Sequence, residues 1–333
     1  MNHFKSSLIV TAIGLVLAFF VGGFTAAVYI TAILAILEIS LSFDNAVVNA
    51  KVLDTMEPKW QERFITYGIP IAVFGMRFIF PIVIVSIAGG LGVIETFRLA
   101  VEHPEKYQHT LESTEQLIYA FGGSFLLMVF LDFLFDADRE QHWIHIIENS
   151  SAVTKASQIN NIEMIIATTV GLYLVHITAD ASIALAYFTG VLLHSLIASL
   201  DELLSTDGVR SGLMGLLYLE VLDASFSFDG VIGAFALSSN IFIIMIGLGI
   251  GAMFVRSLTL YLVEKKTLTE YRYLEHGAHY AILALATIMF IKMFHEVNEM
   301  IVGTIGIFFI GVATYHSILE NRKENNTKEE SDK

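Results

Sequence analysis

The sequence predicts an all-α, polytopic transmembrane helical bundle of about nine or ten spans with an inverted internal repeat. Three observations carry this: an apolar composition, apolar blocks long enough to cross a bilayer, and one acidic motif that occurs twice. Of 333 residues, 55% are hydrophobic and 16% charged, and the mean hydropathy is +0.67, well above that of soluble domains. A helix needs about 20 residues to cross the roughly 30 Å hydrocarbon layer, and the apolar blocks reach that length. They must be helical, because a spanning segment has to satisfy its own backbone hydrogen bonds. Strand-period alternation is missing, which sets aside an outer-membrane barrel. Cysteine is absent, which excludes disulfides, thiolate metal sites and cysteine nucleophiles. The formal charge of -14 falls mostly in loops and tail and argues against nucleic-acid binding.

Hydropathy places spans near 7–25, 27–50, 64–90, 115–135, 161–178, 180–200, 212–237, 241–263, 278–296 and 300–319. The first lacks a small-residue cleavage site and reads as a retained helix. A cytoplasmic N-terminus puts Lys51, Lys59, Arg63, Arg139, Lys155, Arg210, Lys265, Lys266 and Arg272 inside, with only Arg98 and Lys106 outside. This positive-inside pattern favours ten spans with both ends cytoplasmic in a cell membrane, a bacterial inner membrane for preference. Nine is the fallback, since the pair around Asp180 and the final span are the weakest. Residues 1–319 form one membrane domain, with repeats at about 27–135 and 212–296 and linker spans at 161–200. The polar stretch 320–333 reads as a disordered cytoplasmic tail.

The repeat rests on an ungapped match. LEISLSFDNAV (37–47) lies over LDASFSFDGVI (222–232), with Glu38 opposite Asp223 and Asp44 opposite Asp229. Downstream, FGMRFIFPIVIV carries Arg77 and GAMFVRSLTLYLV carries Arg256, each in the following span. In the ten-span scheme the two motif helices cross in opposite directions, so the repeat is inverted, as in secondary transporters with a midplane site between the halves. The competing explanation is chance similarity in an apolar alphabet. Matched intramembrane acids argue against it.

A carboxylate at bilayer depth costs roughly 2.5 kcal/mol or more, so Glu38, Asp44, Glu220, Asp223 and Asp229 are expected to face a cavity or a partner. Glu38, Ser42, Asn45 and Asn49 share one helical face, as do Glu220, Asp223 and Ser227. Asp44 and Asp229 sit about 120° off those stripes on an ideal helix. They therefore point to another neighbour, or the helix breaks there; Asn45 and Gly230, directly after them, favour a break. Carboxylate, amide and carbonyl oxygens suit hard cations such as Mn²⁺, Mg²⁺ or Ca²⁺. The candidate ion ligands are thus Glu38, Asp44, Asn45, Asn49, Glu220, Asp223 and Asp229, with Arg77, Arg256 and Lys292 as charge-balancing partners. If those cations only pair with the acids, the cluster is helix glue. A proton-coupled role is also open. No resident cofactor is expected.

Other polar residues carry less. Asp132, Asp180, His176, His194 and His279 read as packing or interfacial groups. His142, His145 and Glu148 share a face that suits a metal, but a solvated amphipathic loop explains them better. The acidic outer loop from Glu95 to Glu115 reads as solvated surface or a weak cation concentrator. Glycines in TYGIP, FGMRF, AFGGSF and GLGIGAM suit close helix packing rather than nucleotide loops. Pro70 and Pro81 predict kinks.

The motifs EISLSFDNAVVNA, AVFGMRFIFP, AFGGSFLLMVFLDF, DASFSFDGVIGAF, GLGIGAMFVRSLTLYLV and EYRYLEHGAHYAI resemble the TerC-like integral membrane proteins, named for tellurium resistance, and most closely a longer branch of that family. The resemblance implies membership of the LysE-type superfamily of inverted-repeat exporters and a part in metal-ion homeostasis, manganese efflux above all. The family's acidic motif positions fall on Glu38, Asp44, Asn45, Asp223 and Asp229. Where typical members carry a second Asp-Asn or Asp-Ser, this chain has Asp229-Gly230, one side-chain ligand fewer.

Three functions follow as expectations: a divalent-cation exporter that is not an enzyme; a membrane scaffold for cytosolic stress-response proteins of the tellurium-resistance type; and an intramembrane hydrolase using Asp44 and Asp229 as an acid-base pair. Metal ion and lipid bilayer are the expected partners, with a homo-oligomer open and nucleic acid excluded.

Overall fold

A computed structural model describes residues 4–22, 25–136, 139, 141–204, 212–235 and 237–331. Those residues form helices and connecting turns, with no strand among them, so the chain is all-α. In order the helices are α1 (Lys5–Gly22), α2 (Thr25–Leu41), α3 (Phe43–Asp54), α4 (Pro58–Pro70), a π-helical segment (Ile71–Ile79), α5 (Phe80–Ala88), α6 (Val93–Glu102) and α7 (Pro104–Phe135). Then come α8 (His145–Glu148), α9 (Ser151–Ala156), α10 (Ile162–Thr178), α11 (Ala181–Leu204), α12 (Gly212–Phe235), α13 (Ile241–Glu264), α14 (Thr267–Glu270), α15 (Leu274–Lys292) and α16 (Glu299–Ser331).

Helix occupies every apolar block of the sequence, but not every block is one straight span. Six described helices are long and apolar enough to cross a membrane: α1, α7, α11, α13, α15 and the stretch Ile301–Lys323 of α16. Taken as one span bent by 53°, α2 and α3 make a seventh. The rest fall short of the nine or ten expected for physical reasons. The block at 64–90 is split by the π segment, α10 has 17 residues, and α12 carries Glu220, Asp223 and Asp229.

Exposure sorts the helices into an inner and an outer set. α7, α13 and α15 are mostly buried, whereas α1, α11 and α16 turn large apolar side chains outward, among them Phe20, Leu185, Leu192 and Phe308. So much outward apolar surface suits lipid and would drive aggregation in water. The chain is a multi-pass membrane protein.

Packing within the bundle is reciprocal. α13, from the second repeat, lies along α2 and α3 of the first, while the π segment of the first lies along α12 of the second. α7 and α15, the last helices of the two repeats, lie against each other. Glycines permit these approaches. A Cβ at Gly247 would fall 2.6 Å from that of Leu34, and one at Gly251 would fall 2.5 Å from that of Glu38. At Gly122 and Gly123 the intruding groups are Met289 and Phe290. Gly75, in FGMRF, meets only Ile71 of its own segment.

Two features depart from the expectations. The break in the first motif helix falls at Ser42, two residues before Asp44, and the second motif helix is continuous through Asp229 and Gly230. Small residues after an aspartate permit a break but do not impose one, and neighbouring packing decides. The polar stretch after residue 319 continues α16 to Ser331 instead of leaving it, with Lys323 and Glu320 paired at 3.2 Å across one turn. Pro70 and Pro81 bracket the π segment, one ending α4 and the other lying in the first turn of α5.

Candidate functional site

The site starts at the bend between α2 and α3. The Ser42 amide still bonds the Glu38 carbonyl at 3.0 Å, and the Ser42 hydroxyl donates to Glu38 Oε1 at 2.9 Å, so the turn holds the carboxylate. Glu38 is fully buried beside the bare backbone of Gly251. Arg77 arrives from the π segment, a conformation that recurs at functional sites because it re-aims side chains. Its guanidinium donates through Nη2 to Glu38 Oε1 and through Nη1 to Asp223 Oδ2, the latter at 2.6 Å. Glu38 and Asp223 are the repeat-equivalent acids, so one arginine bridges both halves.

A second cation stands nearby. Arg256 donates through Nη2 to the Phe64 carbonyl at 2.6 Å, with its guanidinium carbon 3.9 Å from the Phe64 ring centroid. Asn49, Arg77, Glu220, Asp223 and Arg256 together line a cavity of about 20 Å³, room for about one water-sized particle. Three carboxylates (Glu38, Glu220, Asp223) against two guanidiniums leave one formal negative charge.

Several buried polar atoms around this centre have no hydrogen-bond partner among the described residues: Glu38 Oε2, Asn49 Oδ1, Glu220 Oε1, Ser227 Oγ and both side-chain atoms of Asn45. Buried polar groups are nearly always satisfied, so such a concentration sets this centre apart from the rest of the bundle. Gly230 contributes by lacking a side chain, since a Cβ there would approach Glu38 Oε2 to 3.1 Å.

Asp44 lies apart from this cluster. It occupies the first turn of α3, is 3% exposed, and faces α16, where a Cβ at Gly306 would sit 3.2 Å from Oδ1. That oxygen also finds no hydrogen-bond partner among the described residues. Both alternatives raised by its offset from the Glu38 stripe occur: the helix bends between the two residues, and Asp44 has α16 for a neighbour. The side chain of Asp229 lies outside the described residues. Lys292 lies 5.6 Å from the Tyr119 ring centroid and lines a different cavity, about 500 Å³, with Glu112, Glu115 and Glu296. Among the described residues no group of three or more acids and histidines surrounds a common point for a metal ion. Arg77 stands between two of the acids, Glu38 and Asp223.

Sequence reasoning missed two clusters. The first surrounds Glu148, which is buried rather than solvated: it accepts from the Trp143 amide at 2.9 Å, contacts His276 Nδ1 at 3.1 Å and lies 3.7 Å from Arg139. Burial raises the Glu148 carboxyl, but the hydrogen bond and charge of His276, the Trp143 amide and Arg139 outweigh it and hold the group at about 2. An acid in an otherwise apolar IIE turn was the available signal. The second cluster lines a cavity of about 550 Å³ among the ends of α3, α7, α10, α11 and α15. Its acids, Asp132, Asp136, Glu163, Asp201 and Glu275, recur at or just beyond span ends. Asp180, expected as a packing or interfacial group, lies just before α11 and accepts from the Ser182 amide at 2.7 Å.

The fold and site define a multi-pass α-helical membrane protein with a charge cluster shared between two repeats. It belongs to the family described as "Protein of unknown function (DUF475)", whose model matches residues 43–324. That match takes in Asp44, Arg77, Glu220, Asp223 and Arg256 and begins just after Glu38. No curated protein and no solved structure matches the chain.

Proposed function

We propose that this protein transports a divalent metal cation across the membrane, exporting Mn²⁺ for preference, through an acidic site between its two repeats. One observation carries the reading: Arg77 bridges Glu38 and Asp223 while oxygens of Glu38, Glu220 and Asn49 beside it find no partner among the described residues. An arginine so placed is a tethered cation occupying the ground a mobile one would take. Cargo binds by displacing it, and the surplus negative charge together with the unsatisfied oxygens favours that exchange. The π segment gives Arg77 a way to move, since a π turn can relax to α geometry with a change of side-chain register. Rocking of one repeat against the other then opens the site to alternate sides. Mg²⁺ and Ca²⁺ meet the same oxygen ligands and remain alternative cargoes.

The test is Mn²⁺ flux in everted vesicles carrying wild type, Glu38→Gln, Asp44→Asn or Asp223→Asn, with membrane insertion checked in each. In Glu38→Gln and Asp223→Asn, neutralising one acid of the Arg77 cluster removes its surplus charge and leaves the arginines balanced, whereas Asp44→Asn tests the separate acid beside α16. Flux is expected to fall by about two orders of magnitude while the protein still inserts. Unchanged flux in all three variants would remove the proposal.

A further inference from the structure

The cavity of about 550 Å³ at the ends of α3, α7, α10, α11 and α15 takes no part in the arginine cluster, yet its lining is chemically biased. Five described carboxylates face it: Asp132, Asp136, Glu163, Asp201 and Glu275. The only described ammonium in the lining is Lys51, which pairs with Glu275 at 2.8 Å. Asp132 and Asp136 are exposed at its mouth, so the hollow opens to solution.

A second observation points to a ligand. His279 is 8% exposed, lines the hollow and stacks on Phe133 with ring centroids 4.0 Å apart. Its Nδ1 donates to the Glu275 carbonyl at 2.8 Å, which fixes the neutral ring's lone pair on Nε2. Nε2 makes no hydrogen bond within the described structure. A histidine oriented through Nδ1, with Nε2 turned to an acidic hollow, is arranged to meet a cation or its hydration water.

Position supplies the rest. Val48 and Tyr218 line this hollow, and their neighbours Asn49 and Leu219 line the inner cavity, so α3 and α12 form the partition between the two. The chain ends around the mouth lead into the loops bearing Lys59, Arg63, Arg139, Lys155, Lys265, Lys266 and Arg272. The positive-inside pattern assigns that face to the cytoplasm.

The geometry points to a cytoplasmic vestibule that gathers hydrated cations and delivers them to the arginine-occupied site. This rests on the transport reading for what lies beyond the partition, but the vestibule is testable without transport. A cleft lined by one sign of charge raises the local concentration of opposite charges by about 10-fold or more, and salt weakens the effect.

The chain has no cysteine, so single cysteines report without background. Ala198→Cys places a thiol in the vestibule lining, and Ala152→Cys, exposed on α9, gives a reference. Each is reacted in everted vesicles at low ionic strength with a trimethylammonium methanethiosulfonate and with its sulfonate counterpart. The cationic-to-anionic rate ratio is expected to be about 10-fold higher at position 198 than at 152. It should fall toward the reference in high salt and when Asp136→Asn, Glu163→Gln and Asp201→Asn are combined. Equal ratios at the two positions, indifference to that neutralisation, or reaction at 198 only from the opposite membrane face would overturn the proposal. A cationic preference in a protein without metal flux would keep the vestibule and sink the transport reading instead.

Discussion

Two buried carboxylate centres in this molecule differ in how completely they are satisfied. Glu148 has a backbone amide, a histidine and an arginine around it, and it ties the loop after α7 to the start of α15. Glu38, at the bend of the first motif helix, shares one oxygen with Ser42 and Arg77, and the other has no partner among the described residues. Both side chains are out of solvent. A centre whose partners are complete adds rigidity, whereas oxygens left unsatisfied are where the proposed cargo would bind.

Altering Glu148 should separate the two centres most strongly. Glu148→Ala removes one partner of a buried pair and strands His276 and Arg139, a loss of about 3 kcal/mol. Thermal unfolding should show it, while flux per folded molecule stays close to wild type. Acid acts through the same group. Its folded value of about 2 lies below the ordinary 4.5, so its stabilisation is complete above pH 4.5 and is lost as pH falls toward 2. Wild type should therefore lose stability across that window more steeply than Glu148→Ala, and parallel curves would mean that the latch contributes nothing.

A smaller effect is expected at the glycine that lets Glu38 in. A methyl at Gly251 would meet the Glu38 Cβ at 2.5 Å and its Cγ at 2.6 Å, which forces α2 away from α13. Overpacking of this kind costs about 1–3 kcal/mol. Gly251→Ala should also impair flux beyond its loss of stability, because it shifts the carboxylate itself; a variant as active as wild type would detach Glu38 from transport. The smallest change is expected for Lys292→Gln. Lys292 lies outside the arginine cluster, so stability should move by no more than about 0.5 kcal/mol and flux by less than twofold. A large loss would move charge balance to the outer cavity.

Much of this was legible in the residues. Every apolar block that hydropathy marked is helical, although α6, α8, α9 and α14 lie outside those blocks, and the ungapped repeat singled out Glu38 and Asp223 as the equivalents that Arg77 joins. The 120° offset of Asp44 left a separate neighbour or a broken helix open, and both occur, with a bend at Ser42 and α16 beside Asp44. The position of the bend was not legible, because it depends on α13 and α16 packing against α2 and α3, and no local residue dictates Ser42 over Asn45. Glu148 was misread as surface since one of its partners, His276, lies 128 residues away on α15, beyond the reach of any periodicity. Of the acids of the vestibule only Asp132 was singled out, as a packing or interfacial group, for a related reason: each looks like an ordinary span end, and only the bundle gathers them. Lys292 shared a span with apolar residues, which made it a plausible counter-ion, but helix direction placed it elsewhere.

Metal titration of detergent-purified Arg77→Gln beside wild type addresses the central claim most directly, with thermal stability and bound metal read for Mn²⁺, Mg²⁺ and Ca²⁺ in turn. Losing the arginine leaves Glu38 and Asp223 facing each other without their shared cation, so the variant should be destabilised when metal-free. It should then recover on adding a divalent ion, by about 2.7 kcal/mol at a hundredfold excess over Kd, and bind that ion at least about 10-fold more tightly than wild type. If Arg77→Gln gains neither stability nor affinity from any of the three ions, Arg77 is helix glue and the acids around it hold no cargo.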